Sequence, residues 1–294
     1  MRSGRSARSP ARFQPMMCWK PCSEGSASGN RRENMYAVHG KSAVIDPEAC
    51  RNILVFGDVH GDLASLKRGL SKAGADDLIV FLGDYADRGP DGVEVIETIH
   101  DLLLHESDRV IALKGNHEDY TDQGAPLFHP CDLIEEARRK RGSWEAFFRR
   151  FTGFAHTLLL SARIPGYALF VHGGVGSHLD SLEQLENPDA ARETEFLWND
   201  PVPAPGEHIS IRGAGRAFGP DVSAAVCEAL SIRHIIRSHE PRKASRGPFP
   251  EHEGRVITTN STSAYGGAPS ILRLQASRIP QLDPLSRDSV VFLN

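Results

Sequence analysis

Val110-Ile111-Ala112-Leu113 runs, after one lysine, into Gly115-Asn116-His117-Glu118. The apolar run has the length of a buried strand. The turn after it is odd. A structural turn favours Asn-Gly or Asp-Gly, with glycine second to supply positive φ. Here glycine comes first, and an amide and an imidazole come after it. That order delivers two side chains able to coordinate or carry protons to the end of a strand. Chemistry is the better reading only if the chain repeats the device elsewhere.

Working outward, Asn52-Ile53-Leu54-Val55-Phe56 and Leu78-Ile79-Val80-Phe81-Leu82 are two more apolar runs of strand length. Between them Leu63, Leu66 and Leu70 recur at helical spacing and stop near Gly74. Val93, Ile96 and Leu103 mark a second helix before Val110. Strand, helix, strand, helix, strand predicts α/β layering with a largely parallel sheet. A helical stretch spans about Asp132 to Leu160. Its stripe of Trp144, Phe147, Phe148, Phe151 and Phe154 reads as core. The second half is strand-rich, with runs at 168–171, 234–237, 256–259 and 270–274 and a helix at about 221–230. No internal repeat and no linker is visible after residue 50.

The device is repeated. The run at 52–56 ends in Gly57-Asp58-Val59-His60-Gly61-Asp62, and the run at 78–82 in Gly83-Asp84-Tyr85-Ala86-Asp87-Arg88-Gly89. Val171 leads into His172-Gly173-Gly174, and Ile236 into Arg237-Ser238-His239-Glu240. Ligands of open α/β sheets collect outside the carboxyl ends of the strands. Asp58, His60, Asp84, Asn116, His172 and His239 are therefore candidate metal ligands, enough for two ions if one carboxylate is shared. Oxygen and imidazole donors suit Mn²⁺, Fe or Zn²⁺, and the absence of cysteine argues against a structural zinc site. Two such ions can clamp a phosphoryl group and acidify a water between them. A single histidine at a strand end is ordinarily just a hydrogen-bonded loop residue. His100, His105 and His156, which lack this setting, are read that way.

Composition sets limits. The chain has 294 residues, 40% hydrophobic and 24% charged, with a formal net charge of −4. That balance fits an ordinary soluble globular protein and gives no footprint for nucleic acid. No apolar run reaches the length of a membrane-spanning helix. Five scattered cysteines, Cys18, Cys22, Cys50, Cys131 and Cys227, read as free thiols in a reducing, cytoplasmic setting. Residues up to about 34 are rich in arginine, serine and glycine and lack apolar periodicity. Residues 1–50 are expected to form a disordered basic extension and residues 51–294 the catalytic domain. Alternatively the true start is Met17 or Met35.

GDVHG, GDYADRG, GNHE, HGG and RSHE together resemble the signature series of the phosphoprotein phosphatases, metal-dependent serine/threonine phosphatases of the calcineurin-like metallophosphoesterases. Phe196-Leu197-Trp198-Asn199-Asp200-Pro201 is similar to that family's LLWSDP stretch, and Arg212-Gly213-Ala214-Gly215-Arg216-Ala217-Phe218-Gly219 to its RGxSxxFG stretch. The resemblance covers residues 52 to about 274. It implies two mixed β-sheets sandwiched between helices, and two divalent ions; the oxygen- and imidazole-rich donor set favours Mn²⁺, with Fe or Zn²⁺ open. It implies that Asp58, His60 and Asp84 hold the first ion. Asp84 bridges to a second ion completed by Asn116, His172 and His239. It makes His117 the general acid, oriented by Asp87, and gives Arg88, Arg212 and Asn116 to the phosphate. Hydrolysis is then by direct attack of a metal-bound hydroxide. Tyr265 takes the place of the family tyrosine beside the site, which counts it with the substrate-binding residues; its stretch, Asn260-Ser261-Thr262-Ser263-Ala264-Tyr265-Gly266-Gly267, lacks the cysteine of SAPNYCG. No regulatory extension comes after the last strand, which suggests a bacterial-type member with no obligate partner.

Phosphorylated proteins are the implied substrates. The same motifs also resemble symmetric diadenosine-tetraphosphate hydrolases, which usually read GNHD and lack the LLWSDP and RGxSxxFG pair. Broad specificity, including phosphotyrosine, is a further reading. A pseudophosphatase would need a broken ligand set, and none of these positions is broken. A nuclease would need the basic surface that phosphate contacts demand.

Overall fold

Strands buried on both faces lose the polar alternation of half-exposed ones, so they read as unbroken apolar runs. In the computed structural model, which describes residues 34–279 and 281–294, those runs form the middle of two sheets. The strands in chain order are β1 (Tyr36–His39), β2 (Ser42–Ile45), β3 (Asn52–Phe56), β4 (Leu78–Phe81), β5 (Val110–Ala112), β6 (Ser161–Ile164), β7 (Ala168–Phe170), β8 (Asp200–Pro201), β9 (Glu207–Ile209), β10 (Arg216–Phe218), β11 (His234–Arg237), β12 (Phe249–Glu251), β13 (Val256–Thr258), β14 (Ser270–Gln275) and β15 (Val290–Phe292). The helices are α1 (Leu63–Leu70), α2 (Gly92–His105), α3 (Leu133–Arg141), α4 (Trp144–Thr157), α5 (Glu183–Glu186), α6 (Ala190–Trp198) and α7 (Pro220–Ala229).

One sheet has the order β15-β14-β3-β4-β5 and the other β1-β2-β6-β7-β11-β13-β12. A small third sheet, β8-β10-β9, lies apart from both in pairing. Side chains alternate across β3. Leu54 and Phe56 join a cluster with the residues of α1 to α4, whereas Ile53 and Val55 face Ala162, Phe170, Ile236 and Ile257 of the other sheet. On the far side of that sheet, Leu169, Ile235 and Val256 pack with Phe196, Val222 and Val226. The layers therefore run helix, sheet, sheet, helix, as the sequence resemblance implies. The aromatic stripe of α4 is core: Trp144, Phe147, Phe151 and Phe154 are all buried.

Two expectations need correction. The sheets are mixed, as the resemblance implies, rather than largely parallel as the strand–helix alternation suggests: β3-β4-β5 and β7-β11-β13 pair in parallel, but β14 joins β3, and β6 joins β7, antiparallel. Strands with two buried faces carry no sequence mark of direction. Also, the boundary at residue 50 falls too late. β1 and β2 form an antiparallel hairpin, and β2 pairs in parallel with β6. Met35, Ala43 and Ile45 are buried in the core between the sheets. Two four-residue strands around a turn at Gly40 are too short to show a period. The disorder expected of residues 1–33 lies outside the described residues. Cys50, Cys131 and Cys227 are free thiols, and no helix among the described residues is long and apolar enough to cross a membrane.

Helix α1 begins where the first polar cluster ends. The Asp62 carboxylate caps it by accepting the Ser65 amide at 2.9 Å. The helix lies so close on β3 that a Cβ on Gly69 would sit 2.4 Å from Phe56 Cε1. Phe56 cannot turn away, because it is fully buried with its ring centroid 4.8 Å from that of Phe81. Overpacking of this kind costs about 1–3 kcal/mol, more than the roughly 0.5–1 kcal/mol that alanine gains over glycine within a helix. Gly69→Ala is therefore expected to lower the urea midpoint at unchanged slope. A raised midpoint would show that Phe56 yields.

Candidate functional site

The carboxyl ends of β3, β4 and β5 meet those of β7 and β11, and the polar clusters meet with them. Glycine makes the approach possible. A Cβ on Gly115 would lie 2.2 Å from Asp84 Oδ1, and Gly83, at φ 105°, would collide with Gly115. With both bare, the Asp84 carboxylate reaches the next loop and accepts the His117 amide at 3.0 Å. Glycine thus precedes Asn116 and His117 to admit the Asp84 carboxylate. Positive φ is borne by other residues. His60, Asp84, Asp87, Arg88 and His239 all have φ between 42° and 68°. Such conformations cost roughly 1–2 kcal/mol for an ordinary L-residue, less for aspartate. Outside the site, only Ser231, His252 and Glu253 share them among the described non-glycine residues.

Two histidines are aimed by main-chain carbonyls. His60 Nδ1 is 2.9 Å from Ala86 O, and His172 Nδ1 is 2.9 Å from Leu82 O. Each Nδ1–H donates there, so each Nε2 presents a lone pair to the centre. His60 Nε2 faces Asp84 Oδ2 at 3.5 Å and Asp58 Oδ2 at 3.8 Å. His172 Nε2 faces Asp84 Oδ1 at 3.4 Å, Asn116 Oδ1 at 3.0 Å and His239 Nδ1 at 3.1 Å. Asp58 Oδ1 accepts the His239 amide at 2.9 Å, which ties β3 to β11.

This is a concentration of lone pairs with too few protons. Asp58 Oδ2 and His239 Nε2 are buried and have no hydrogen-bond partner. In either tautomer of His239, one ring nitrogen stays unpaired. Burial pushes the Asp58 carboxyl up to about 6, against the His239 amide and Ser238 hydroxyl that favour its anion. Burial, then the charges of Asp58 and Glu118, hold Asp84 well above the carboxylate range. Burial, with the His117 charge second, lowers His60 to about 3. His172 and His239 are held well below the usual imidazole range, again by burial first. Unpaired oxygens and neutral imidazoles around one point fit divalent cations. The side chains fall into two donor groups, His60-Asp84-His117 and Asp84-His172-His239, with ligand atoms within 4.8 Å of one another. Asp84 belongs to both. His117 stands in the first group, where the sequence reading had Asp58.

His117 Nδ1 meets Asp87 Oδ2 at 2.6 Å, and its ring packs on Phe128 at 4.4 Å. Asp87 Oδ1 accepts the amides of Asp132 and Leu133 at the start of α3, at 2.5 and 2.8 Å. Burial alone would raise the Asp87 carboxyl, but the bond to His117 and these amides leave it below its ordinary value. Arg88 Nε donates to the Tyr265 hydroxyl at 2.8 Å, and Arg212 Nε to Asp200 Oδ2 at 2.5 Å. Both arginines and Tyr265 line one cleft of about 590 Å³, together with His60, Asp84, Asn116, His117 and His239. Asp58, Asp87 and His172 lie fully buried behind it.

Glu118 and Arg237 stand inside the sequence motifs, yet nothing in the sequence assigns them a task. Glu118 accepts the amides of Asp84 and Tyr85 at 2.9 Å and of Gly115 at 3.0 Å, clamping two loops together. Arg237 is fully buried, bound to Asp200 at 2.7 Å, to Glu240 at 2.5 Å and to the Gly173 carbonyl. Their motif context was the only signal. Phe128 and the amides of Asp132 and Leu133 carried none.

A carboxylate shared between two histidine-bearing donor groups, at strand ends of two stacked sheets, is the layout of a metallohydrolase. The family model for calcineurin-like phosphoesterases matches residues 51–243. The chain is 35% identical to serine/threonine-protein phosphatase T of Schizosaccharomyces pombe over 226 residues, 72% of this chain and 46% of that one. It is 33% identical to human serine/threonine-protein phosphatase 5 over 240 residues, 76% of this chain and 46% of that one. The solved structure of a protein serine/threonine phosphatase from Saccharomyces cerevisiae is similar with a TM-score of 0.70 at 27% identity, covering 82% of this chain and 78% of that one. The chain belongs to the calcineurin-like phosphoesterase family, whose chemistry rests on divalent cations. It spans about half the length of the curated relatives it matches.

The titration pattern gives a sign. Below their raised pKa values Asp58 and Asp84 hold protons that a cation must displace, while the imidazoles are already neutral. Affinity of the chelator-stripped protein for Mn²⁺ is thus expected to rise as the pH is raised toward about 6, roughly tenfold per unit for each proton displaced, and to level off once both carboxyls are ionised. Calorimetry in buffers of different ionisation heat should show proton release. Flat affinity without release would mean the carboxyls are already ionised.

Proposed function

We propose that this chain is a metal-dependent protein serine/threonine phosphatase that hydrolyses phosphomonoesters in phosphorylated proteins. The observation that carries the reading is the Asp84 carboxylate shared by two donor groups beside the His117–Asp87 pair. The names of the relatives support the substrate class. Asp58, His60, Asp84, Asn116, His172 and His239 would hold two divalent cations. Mn²⁺ is our assignment for a donor set of oxygen and imidazole without thiolate, and Fe or Zn²⁺ suit the same set. When bound, the cations withdraw charge from the phosphoryl oxygens and make water acidic enough to be a nucleophile near neutral pH.

The remaining work falls to side chains. Arg88 and Arg212 present guanidinium donors to the phosphate, each pre-aimed by a neutral or anionic oxygen, Tyr265 or Asp200. Asn116, at the cleft floor, orients it. The leaving serine or threonine alkoxide is strongly basic. His117 Nε2 delivers its proton, while Asp87 holds Nδ1–H and keeps the ring turned. Displacement is in line, with no phosphoenzyme. The free thiols among the described residues suit a reducing compartment, and we place the chain in the cytoplasm.

The decisive assay is phosphate release from a phosphothreonine peptide by chelator-stripped protein with and without Mn²⁺. Mn²⁺-dependent release is expected. Cleavage of diadenosine tetraphosphate with the peptide untouched would overturn the substrate class. His117→Asn is expected to lower turnover by about 10²–10⁴ while the metal content stays the same. Loss of metal in that variant would make His117 a ligand. Asp84→Asn should abolish both metal binding and turnover, and retained activity would contradict the shared carboxylate.

A further inference from the structure

Four long cationic side chains line the cleft: Arg88, Arg212, Arg242 and Lys243. Three have an acidic neighbour. Arg88 lies 3.6 Å from Asp132, Arg212 2.5 Å from Asp200, and Lys243 2.8 Å from Glu240 and 3.0 Å from Glu251. Arg242 is different. It is exposed, and no carboxylate among the described residues pairs with it. Its guanidinium carbon instead lies over the Tyr265 ring, 5.5 Å from the centroid. That contact steadies the side chain without neutralising it.

The position relates to the reacting centre. Tyr265 stacks edge-on to His60 with centroids 5.4 Å apart. The two separations together put the guanidinium at most about 11 Å from the His60 ring, by the extended reach of the chain about three residues of peptide. A cation held at the cleft wall with its charge unspent is free to meet an anion that enters with the substrate.

Resting on the protein-phosphatase reading above, we propose that Arg242 is a specificity-determining residue. It selects substrates with a second anionic group, a carboxylate or another phosphate, within about three residues of the scissile phosphoresidue. The contact is a guanidinium–oxyanion pair, made as the peptide backbone lies along the cleft past Tyr265. It contributes to docking and leaves the chemistry at His117 unaltered.

The test uses the Mn²⁺-loaded full chain and phosphothreonine peptides. Each carries one variable residue, at each of the three places before and after the phosphothreonine. That residue is alanine, glutamate or a non-hydrolysable phosphonate analogue of phosphoserine. The readout is kcat/KM for each anionic peptide divided by that for its alanine parent. For the wild-type chain the ratio is expected to exceed one by about two- to fivefold at one or more places, the scale of one partly screened charge pair. The ratio should shrink in high salt, return to about one in Arg242→Gln and fall below one in Arg242→Glu. Glutamate and phosphonate arms that both respond assign a general anion site. A response to phosphonate alone assigns a second phosphate. A wild-type ratio of one everywhere, with the alanine peptides still turned over, overturns the proposal and leaves the phosphatase reading standing. So does a preference that survives Arg242→Gln. If no peptide is turned over while p-nitrophenyl phosphate is, the phosphatase reading fails and takes this inference with it.

Discussion

Two carboxylates, Asp58 and Asp84, are buried at the junction of two sheets beside three imidazoles that stay neutral. Burying an ionised carboxylate without a counter-charge costs several kcal/mol, and a domain of this kind has only about 5–15 kcal/mol of net stability. The protein tolerates the arrangement because everything around it is over-determined. Glu118 clamps the Asp84 loop to the Asn116 loop, Asp58 holds the His239 backbone, and Arg237 pins the ends of β7 and β11 to Asp200. A cation at a hundredfold excess over its dissociation constant would return about 2.7 kcal/mol. On the proposed function, stability and metal binding would be coupled through these donors, and the metal-free fold carries the penalty of burying them.

Backbone strain concentrates in the same place. Five site residues sit at positive φ, and four of them come directly after the ends of β3, β4 or their neighbouring turn. Sharp left-handed turns at strand ends let successive side chains point inward rather than alternate. Asp84 and Arg88 can line one cleft, with Asp87 buried behind it, from five residues of chain for that reason. Parallel strands buried on both faces supply the rigidity that holds such turns, so the hydrophobic layers and the polar site are one design.

Much of this was readable in the sequence, and the reasons for success and failure are physical. The runs at 52–56, 78–82 and 110–113 announced β3, β4 and β5 because two buried faces leave no room for polar residues. The same uniformity hid strand direction, which is why mixed sheets read as parallel. Hairpin β1–β2 and the small sheet of β8, β9 and β10 escaped because strands of two to four residues show no period. The polar clusters were visible as glycine-flanked acids, amides and imidazoles at strand ends, and the structure gathers them around one cleft. Their supports were not visible. The Asp87 carboxylate meets amides 45 and 46 positions away, and Asp58 meets an amide 181 positions away. Such pairings are made by tertiary structure and leave no local mark.

The central claim is that a single carboxylate, Asp84, joins two cation positions. The most direct measurement is an electron paramagnetic resonance titration of chelator-stripped protein with Mn²⁺. Two ions per chain with a spin-coupled spectrum are expected, and the coupling should vanish in Asp84→Ala. One ion per chain, or two ions that remain magnetically independent, would contradict the account.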